Sequence, residues 1–150
     1  MESDFYALMN GTINFTDGNT MTKGTIRFRA SCIKTLSAVE ARPERSNQHE
    51  FNGVKELKSL FGLTGFSKDA IFSIRGDDIK CTANITWYDA REAHPTRSEY
   101  RLYFNDNIVM QMAQEGDDIV LGFDSTENIH IILIKRGVLK DDNIKGWRII

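Results

Sequence analysis

Apolar and β-branched residues recur along this chain in short runs broken by turn-forming residues, and few stretches keep the spacing of an amphipathic helix. The pattern predicts strands over 5–13, 24–29, 70–75, 80–88, 98–104, 118–123 and 129–135. Asp17-Gly18-Asn19 supplies a turn after the first strand, and Gly76-Asp77-Asp78 joins the third and fourth as a hairpin. Two segments interrupt this pattern, 31–41 and 53–62, the second with Val54, Leu57, Leu60 and Phe61 at helical spacing ahead of Gly62. Each reads as a short helix, marginal alone and therefore expected to pack over an open end of the sheet. The polar stretch 42–50 reads as a surface loop. Six or seven short strands with two short helices predict a mainly β fold, a barrel or a sandwich.

At 150 residues, 41% hydrophobic and 27% charged, the chain is long enough for one domain that buries roughly 70% of its unfolded surface. Cys32 and Cys81 need not form a disulfide framework, and with His49, His94 and His130 they show no zinc-ligand spacing, so neither metal nor cofactor is expected. No run approaches the roughly 18 to 20 apolar residues that cross a bilayer, and no basic segment leads into an apolar one near the start; an intracellular protein without a membrane partner is the expectation.

A formal charge of −2 excludes histone-like, indiscriminate binding to nucleic acid, which needs many phosphate-neutralising cations. The charge is unevenly placed, however. Between Asn19 and Val39 stand Lys23, Arg27, Arg29 and Lys34 without one acid, whereas Glu115 to Glu127 holds five acids and no base. A local excess of a few cations suffices for a phosphate-binding surface.

The segment 91–104 is the most informative. Pro95 favours extended backbone at His94 and is excluded from a central strand, so a loop should lead into a strand that starts near Thr96. Period-two alternation then puts Arg97, Glu99, Arg101 and Tyr103 on one face and Ser98, Tyr100, Leu102 and Phe104 on the other, toward the core. Charges alternating in this way can be a self-satisfied surface ladder. They also match base edges: arginine bonds guanine O6 and N7 in pairs, and a carboxylate accepts from the cytosine amino group.

At these residues the chain resembles the N-terminal effector domain of EcoRII-type restriction endonucleases and the related recognition domain of BfiI. These domains share a pseudobarrel with plant transcription factors of the auxin-response type. Thr96-Arg-Ser-Glu-Tyr-Arg101 is similar to the family's C-terminal recognition arm, with its Thr-Arg-x-Glu-x-Arg pattern, and 17–31 is similar in placement to its N-terminal arm. His94-Pro95 departs from the basic lead-in of that pattern, and Lys23 stands where the family can carry histidine. The resemblance implies a DNA-binding pseudobarrel, a seven-stranded open β-barrel whose two β-arms enter the major groove of double-stranded DNA. It implies base reading by Arg97, Glu99, Arg101, Lys23 and Thr25, and phosphate binding by Arg27, Arg29, Lys34, Thr20, Thr22, His94, Thr96 and Ser98. It further implies a monomeric domain of the bacterial cytoplasm, without catalysis of its own, serving a fused or associated nuclease domain that carries the Mg²⁺.

Two other functions remain open on the residues alone. Glu56-Leu57-Lys58 and Asp78-Ile79-Lys80 have the acid-x-lysine form of Mg²⁺-dependent nucleases, although so loose a triplet arises often by chance. Lys58 is expected to face solvent, and Asp78 to serve a hairpin turn. The other alternative is a β-barrel protein-interaction module whose Arg/Glu strand merely solubilises an edge. His130, within an apolar run, is expected to turn its polar edge to water or a neighbouring carbonyl, and Trp87 to be core.

Overall fold

The computed structural model describes residues 12–16, 23–41, 49–139 and 144–150. They form one curled, open sheet of nine strands with three short helices, so the strand count exceeds the seven expected. In chain order the elements are β1 (Thr12–Thr16), β2 (Lys23–Thr35), α1 (Ala38–Ala41), β3 (Glu50–Asn52), α2 (Lys55–Phe61), β4 (Phe66–Ile74) and β5 (Lys80–Asp89). Then come β6 (Tyr100–Phe104), α3 (Ile108–Gln111), β7 (Asp118–Asp124), β8 (Ile129–Ile134) and β9 (Arg148–Ile149). The spatial order is β1-β2-β7-β8-β4-β5-β6-β3, with β9 paired to β2; β4 and β8 run parallel, and the other pairings are antiparallel.

The helix expected over 31–41 is a correction. Residues 31–35 continue β2, and only Ala38–Ala41 is helical. A bulge explains the misreading, because the register between β2 and β7 shifts between Phe28 and Ala30. The extra residue inverts the alternation, so Phe28 and Ile33, five apart, both join the core cluster on the outer face of the sheet, whereas Cys32 joins the inner one. The inversion is accommodated where Gly122 meets β2: a Cβ there would lie 2.6 Å from Phe28 Cδ1 and 2.9 Å from Ser31 Cβ. The turn of α1 is fixed by reciprocal capping, Ser37 N–H donating to Glu40 Oε1 at 3.0 Å and Glu40 N–H to Ser37 Oγ at 3.4 Å.

Two apolar clusters sandwich the middle of the sheet. The inner one, on the concave side, gathers Trp87, Phe72, Ile85, Leu102, Phe104, Leu121 and Ile131 with Leu57 and Phe61 of α2. The outer one joins Phe28, Ile33, Val120, Ile132 and Ile134 to Leu139 and Ile144. All six residues of β8 are consequently buried, as expected of a central strand covered on both faces. Trp87 is fully buried, as its strand position predicted, and its Nε1–H donates to Gly62 O at 2.9 Å.

The curl brings opposite edges of the sheet together through side chains. Phe51 of edge strand β3 meets Trp147, just ahead of β9, edge to face at 5.5 Å. Across the same opening, α2 follows β3 and reaches β2, where Cys32 Sγ donates to Glu56 O at 3.7 Å. The opening between the edges is therefore filled by packing and not by a backbone ladder. Cys32 and Cys81 are both free thiols, and among the described residues no helix is long and apolar enough to cross a membrane.

Candidate nucleic-acid interface

Strand register places both sequence-derived arms at one end of the sheet. β2 first pairs with β7 at Phe28↔Asp124, so 23–27 extend beyond that point, paired only with β1. β4 first pairs with β8 at Ala70↔Ile129, so 66–69 likewise extend beyond, paired only with β5. At about 3.3 Å per residue the overhangs are about 13 to 16 Å long, and the two strand positions between them leave a notch about 14 Å wide along the sheet. Its floor is the β7–β8 turn, where Asp124 Oδ1 accepts from the backbone N–H of Thr126 and Asn128. Loop 90–99, between β5 and β6, caps the second overhang.

In the second arm, the expected strand over 98–104 begins only at Tyr100. Arg97 and Ser98 lie in the loop and are exposed, so Ser98 does not take the core position assigned to it. Arg101 and Tyr103 do share the outer face, with Leu102 and Phe104 buried on the other. The loop is built on two acceptors. Asp89 Oδ1 accepts the N–H groups of Arg91 at 2.9 Å and Glu99 at 2.8 Å, which hold its carboxyl below the usual range. His94 Nδ1 accepts those of Thr96 at 3.2 Å and Arg97 at 3.0 Å.

Glu99 is flanked by two arginines, but they are Arg91 and Arg101, and not Arg97 as alternation predicted. Arg91 Nε donates to Glu99 Oε2 at 3.1 Å, and Arg101 Nη2 lies 3.3 Å from Oε1; together they lower the Glu99 pKa. Arg101 also donates from Nη1 to Glu50 Oε2 at 3.1 Å, and Tyr88 OH donates to the other Glu50 oxygen at 2.8 Å. Burial and that carboxylate raise the Tyr88 pKa. This chain of charges across β5, β6 and β3 is the self-satisfied ladder that alternating charges allow. Arg97 stands apart from it: exposed, with no side-chain partner among the described residues.

In the first arm, Lys23 and Thr25 occupy β2 opposite Thr16 and Asn14. Thr20 and Thr22 lie outside the described residues. Arg27 is exposed and has no side-chain partner among the described residues. Arg29, the bulge residue, is clamped by Glu127 at 2.5 and 2.7 Å and lies 4.8 Å over the Phe123 ring; hydrogen bonding to Glu127 raises its pKa and lowers that of the acid. Lys34 lies near the far end of β2, largely buried and paired with Glu40. Thr96 is exposed beside Arg97.

Several residues here carried no DNA-contacting role in the sequence reading. Lys68 stands on the second overhang with its Nζ 5.5 Å from the Phe66 ring. Lys58, expected to face solvent, is half-buried with Nζ 5.7 Å from the Tyr100 ring. Glu127 and Glu50 matter as counter-charges; only their sequence-distant partners reveal them. Asp78 lies in the exposed β4–β5 turn, at the other end of the sheet, and Glu56 is half-buried in α2. Among the described residues no group of three or more His, Cys, Asp or Glu is placed to hold a metal ion.

The chain matches no protein-family model and no curated protein.

Proposed function

We propose that this protein is a sequence-specific double-stranded DNA recognition domain, resembling that of EcoRII-type restriction endonucleases and working with a nuclease domain outside the chain. The observation that carries the reading is the notch: two β overhangs at one end of one sheet, the first bearing Lys23, Thr25 and Arg27 and the second capped by the loop that bears Arg97. A two-stranded ribbon such as β1–β2 has the dimensions that a major groove about 12 Å wide admits. Arg97 reads a base, because its guanidinium is exposed and unengaged among the described residues. Arg27 and Lys68 hold the backbone, fixing register without reading sequence. Glu99 and Arg101 hold one another first and reach a base pair only by exchanging that partner for it.

The internal satisfaction of Glu99 and Arg101 favours one other reading, in which this face is a solvated ladder on a protein-interaction module. Selection of binders from a randomised duplex pool at about 0.15 M salt separates the two, since counterion-driven binding fades there. The expected result is enrichment of one short motif with G·C pairs, lost at one position in Arg97→Ala at a discrimination cost of about 1 to 3 kcal/mol. A pool recovered without a motif removes the recognition reading.

A further inference from the structure

His94 enters the reading above as a phosphate contact, yet its geometry gives it another task. Two backbone N–H groups, of Thr96 and Arg97, converge on its Nδ1 at 3.2 and 3.0 Å. An imidazole nitrogen accepts only when it carries no proton, so the ring must be neutral with its single proton on Nε2. The arrangement imitates an Asx turn, in which a side-chain oxygen of Asn or Asp accepts from the backbone two residues on. Pro95 between donor and acceptor fixes φ and narrows the alternatives open to the loop. The backbone N–H of His94 in turn donates to Arg91 O at 2.9 Å, so the ring sits inside a run of consecutive turns.

We propose that His94 is a positioning residue for DNA recognition, its neutral ring holding the Thr96–Arg97 backbone so that Arg97 meets its base in register, and that protonation releases this turn. The proposal rests on the DNA-recognition reading for its consequence, but not for its geometry. Protonation puts a hydrogen on Nδ1 and turns the single acceptor that both N–H groups share into a donor facing them. The charged groups carried by the loop are Arg91, Glu92, Arg97 and Glu99, with Asp89 of β5 and Arg101 of β6 on the strands it joins and Lys58 of α2 acting on Asp89. Arg91 and Arg101 are each paired with Glu99. Bringing DNA phosphates near the ring favours the imidazolium and strengthens binding to every sequence alike, whereas loss of the turn weakens only discrimination. The ratio of affinities for a matched duplex and one with a single substituted base pair cancels the first effect and keeps the second.

Two measurements on the full chain test this. Nitrogen-15 NMR between pH 8 and pH 5.5 should show Nδ1 unprotonated at the higher pH, with the Thr96 and Arg97 amide resonances following the ring as it titrates. The matched-to-mismatched affinity ratio for a duplex enriched from the random pool should fall about 3- to 10-fold over the same interval, the scale of one or two modest hydrogen bonds. His94→Asn, whose Oδ1 accepts as Nδ1 does and takes up no proton in this range, should keep the high ratio at both pH values. His94→Leu should show the low ratio at both. An Nδ1-protonated ring at pH 8, or a pH step in His94→Asn equal to that of the wild type, overturns the proposal. Absence of any duplex binding by the wild type overturns the DNA reading and, with it, the proposed role of His94 in recognition; the amide titration still decides whether the ring holds the turn.

Discussion

Replacing Gly122 by alanine tests the bulge that sets the first arm on the sheet. The added Cβ would lie 2.6 Å from Phe28 Cδ1, 2.9 Å from Phe28 Cε1 and 2.9 Å from Ser31 Cβ, against the 3.5 to 4.0 Å at which carbon atoms rest in contact. Phe28 has little room to retreat. It is 7% exposed, it meets the His130 ring edge-on at 5.9 Å, and it lies in the outer cluster with Val120 and Ile132. Ser31 is equally fixed, by its Oγ–H donating to Ile150 O at 3.3 Å. Overpacking of this kind costs about 1 to 3 kcal/mol, and each kcal/mol lowers Tm by about 2 to 4 °C in a chain of this size. Urea unfolding followed by the fluorescence of buried Trp87 and Trp147 gives the free energy. In a Phe28→Ala background the ring is gone, and the cost of Gly122→Ala should shrink by more than about 0.5 kcal/mol. A Gly122→Ala variant within about 0.5 kcal/mol of wild type, or an equal cost in both backgrounds, refutes the close approach as the reason for glycine.

Trp87→Ala should cost about 3 to 5 kcal/mol in the same assay, because a fully buried indole leaves a cavity; a cost below about 1 kcal/mol would place the ring outside the core. Asp124 is opposed by burial, but hydrogen bonds from His130 at 2.9 Å and from Thr126 and Asn128 outweigh it and depress its pKa below 3.8. Its contribution is therefore full above about pH 4 and lost as pH falls further, so Asp124→Asn should flatten the acid limb of stability against pH, and an unchanged limb contradicts the assignment. Burial, then the nearby Glu56, pushes the Cys32 thiol up to about 11, so alkylation at pH 8 followed by mass spectrometry should leave Cys32 unmodified until the protein is denatured. Glu127→Gln frees Arg29 from its clamp; if that guanidinium serves phosphate, affinity should rise on all duplexes alike and the salt slope steepen by about one, and no change removes Arg29 from the interface.

Much of the architecture was legible because burial on a sheet writes itself as alternation. The hairpin around Gly76-Asp77-Asp78, β7, β8 and the helix ending at Gly62 all appear close to where pattern places them. Residues 31–35 defeated the same rule, since one extra residue at Arg29 shifted the phase and made a strand resemble a helix. The three-residue β3 and two-residue β9 are too short to carry a period, and they exist only because β6 and β2 offer edges. His130 met the carboxylate of Asp124 instead of water or a carbonyl, a partner supplied by the turn between their strands.

By itself, the sequence determined which charged residue types are present and that the most informative of them lie in two segments, 17–31 and 91–104. It also determined the mainly β class, since short β-branched runs cannot bury themselves as helices. Tertiary structure alone decided which of those charges are spent on one another. Arg29, Lys34, Glu99 and Arg101 find counter-charges in Glu127, Glu40, Arg91 and Glu50 respectively, and leave Arg27 and Arg97 exposed. Glu127 is the furthest of these partners from its own along the chain, and nothing in local periodicity fixes a contact made across folded strands. The register that ends β7 and β8 short of their neighbours, and so opens a notch between the two arms, is likewise a property of strand pairing that no single segment contains.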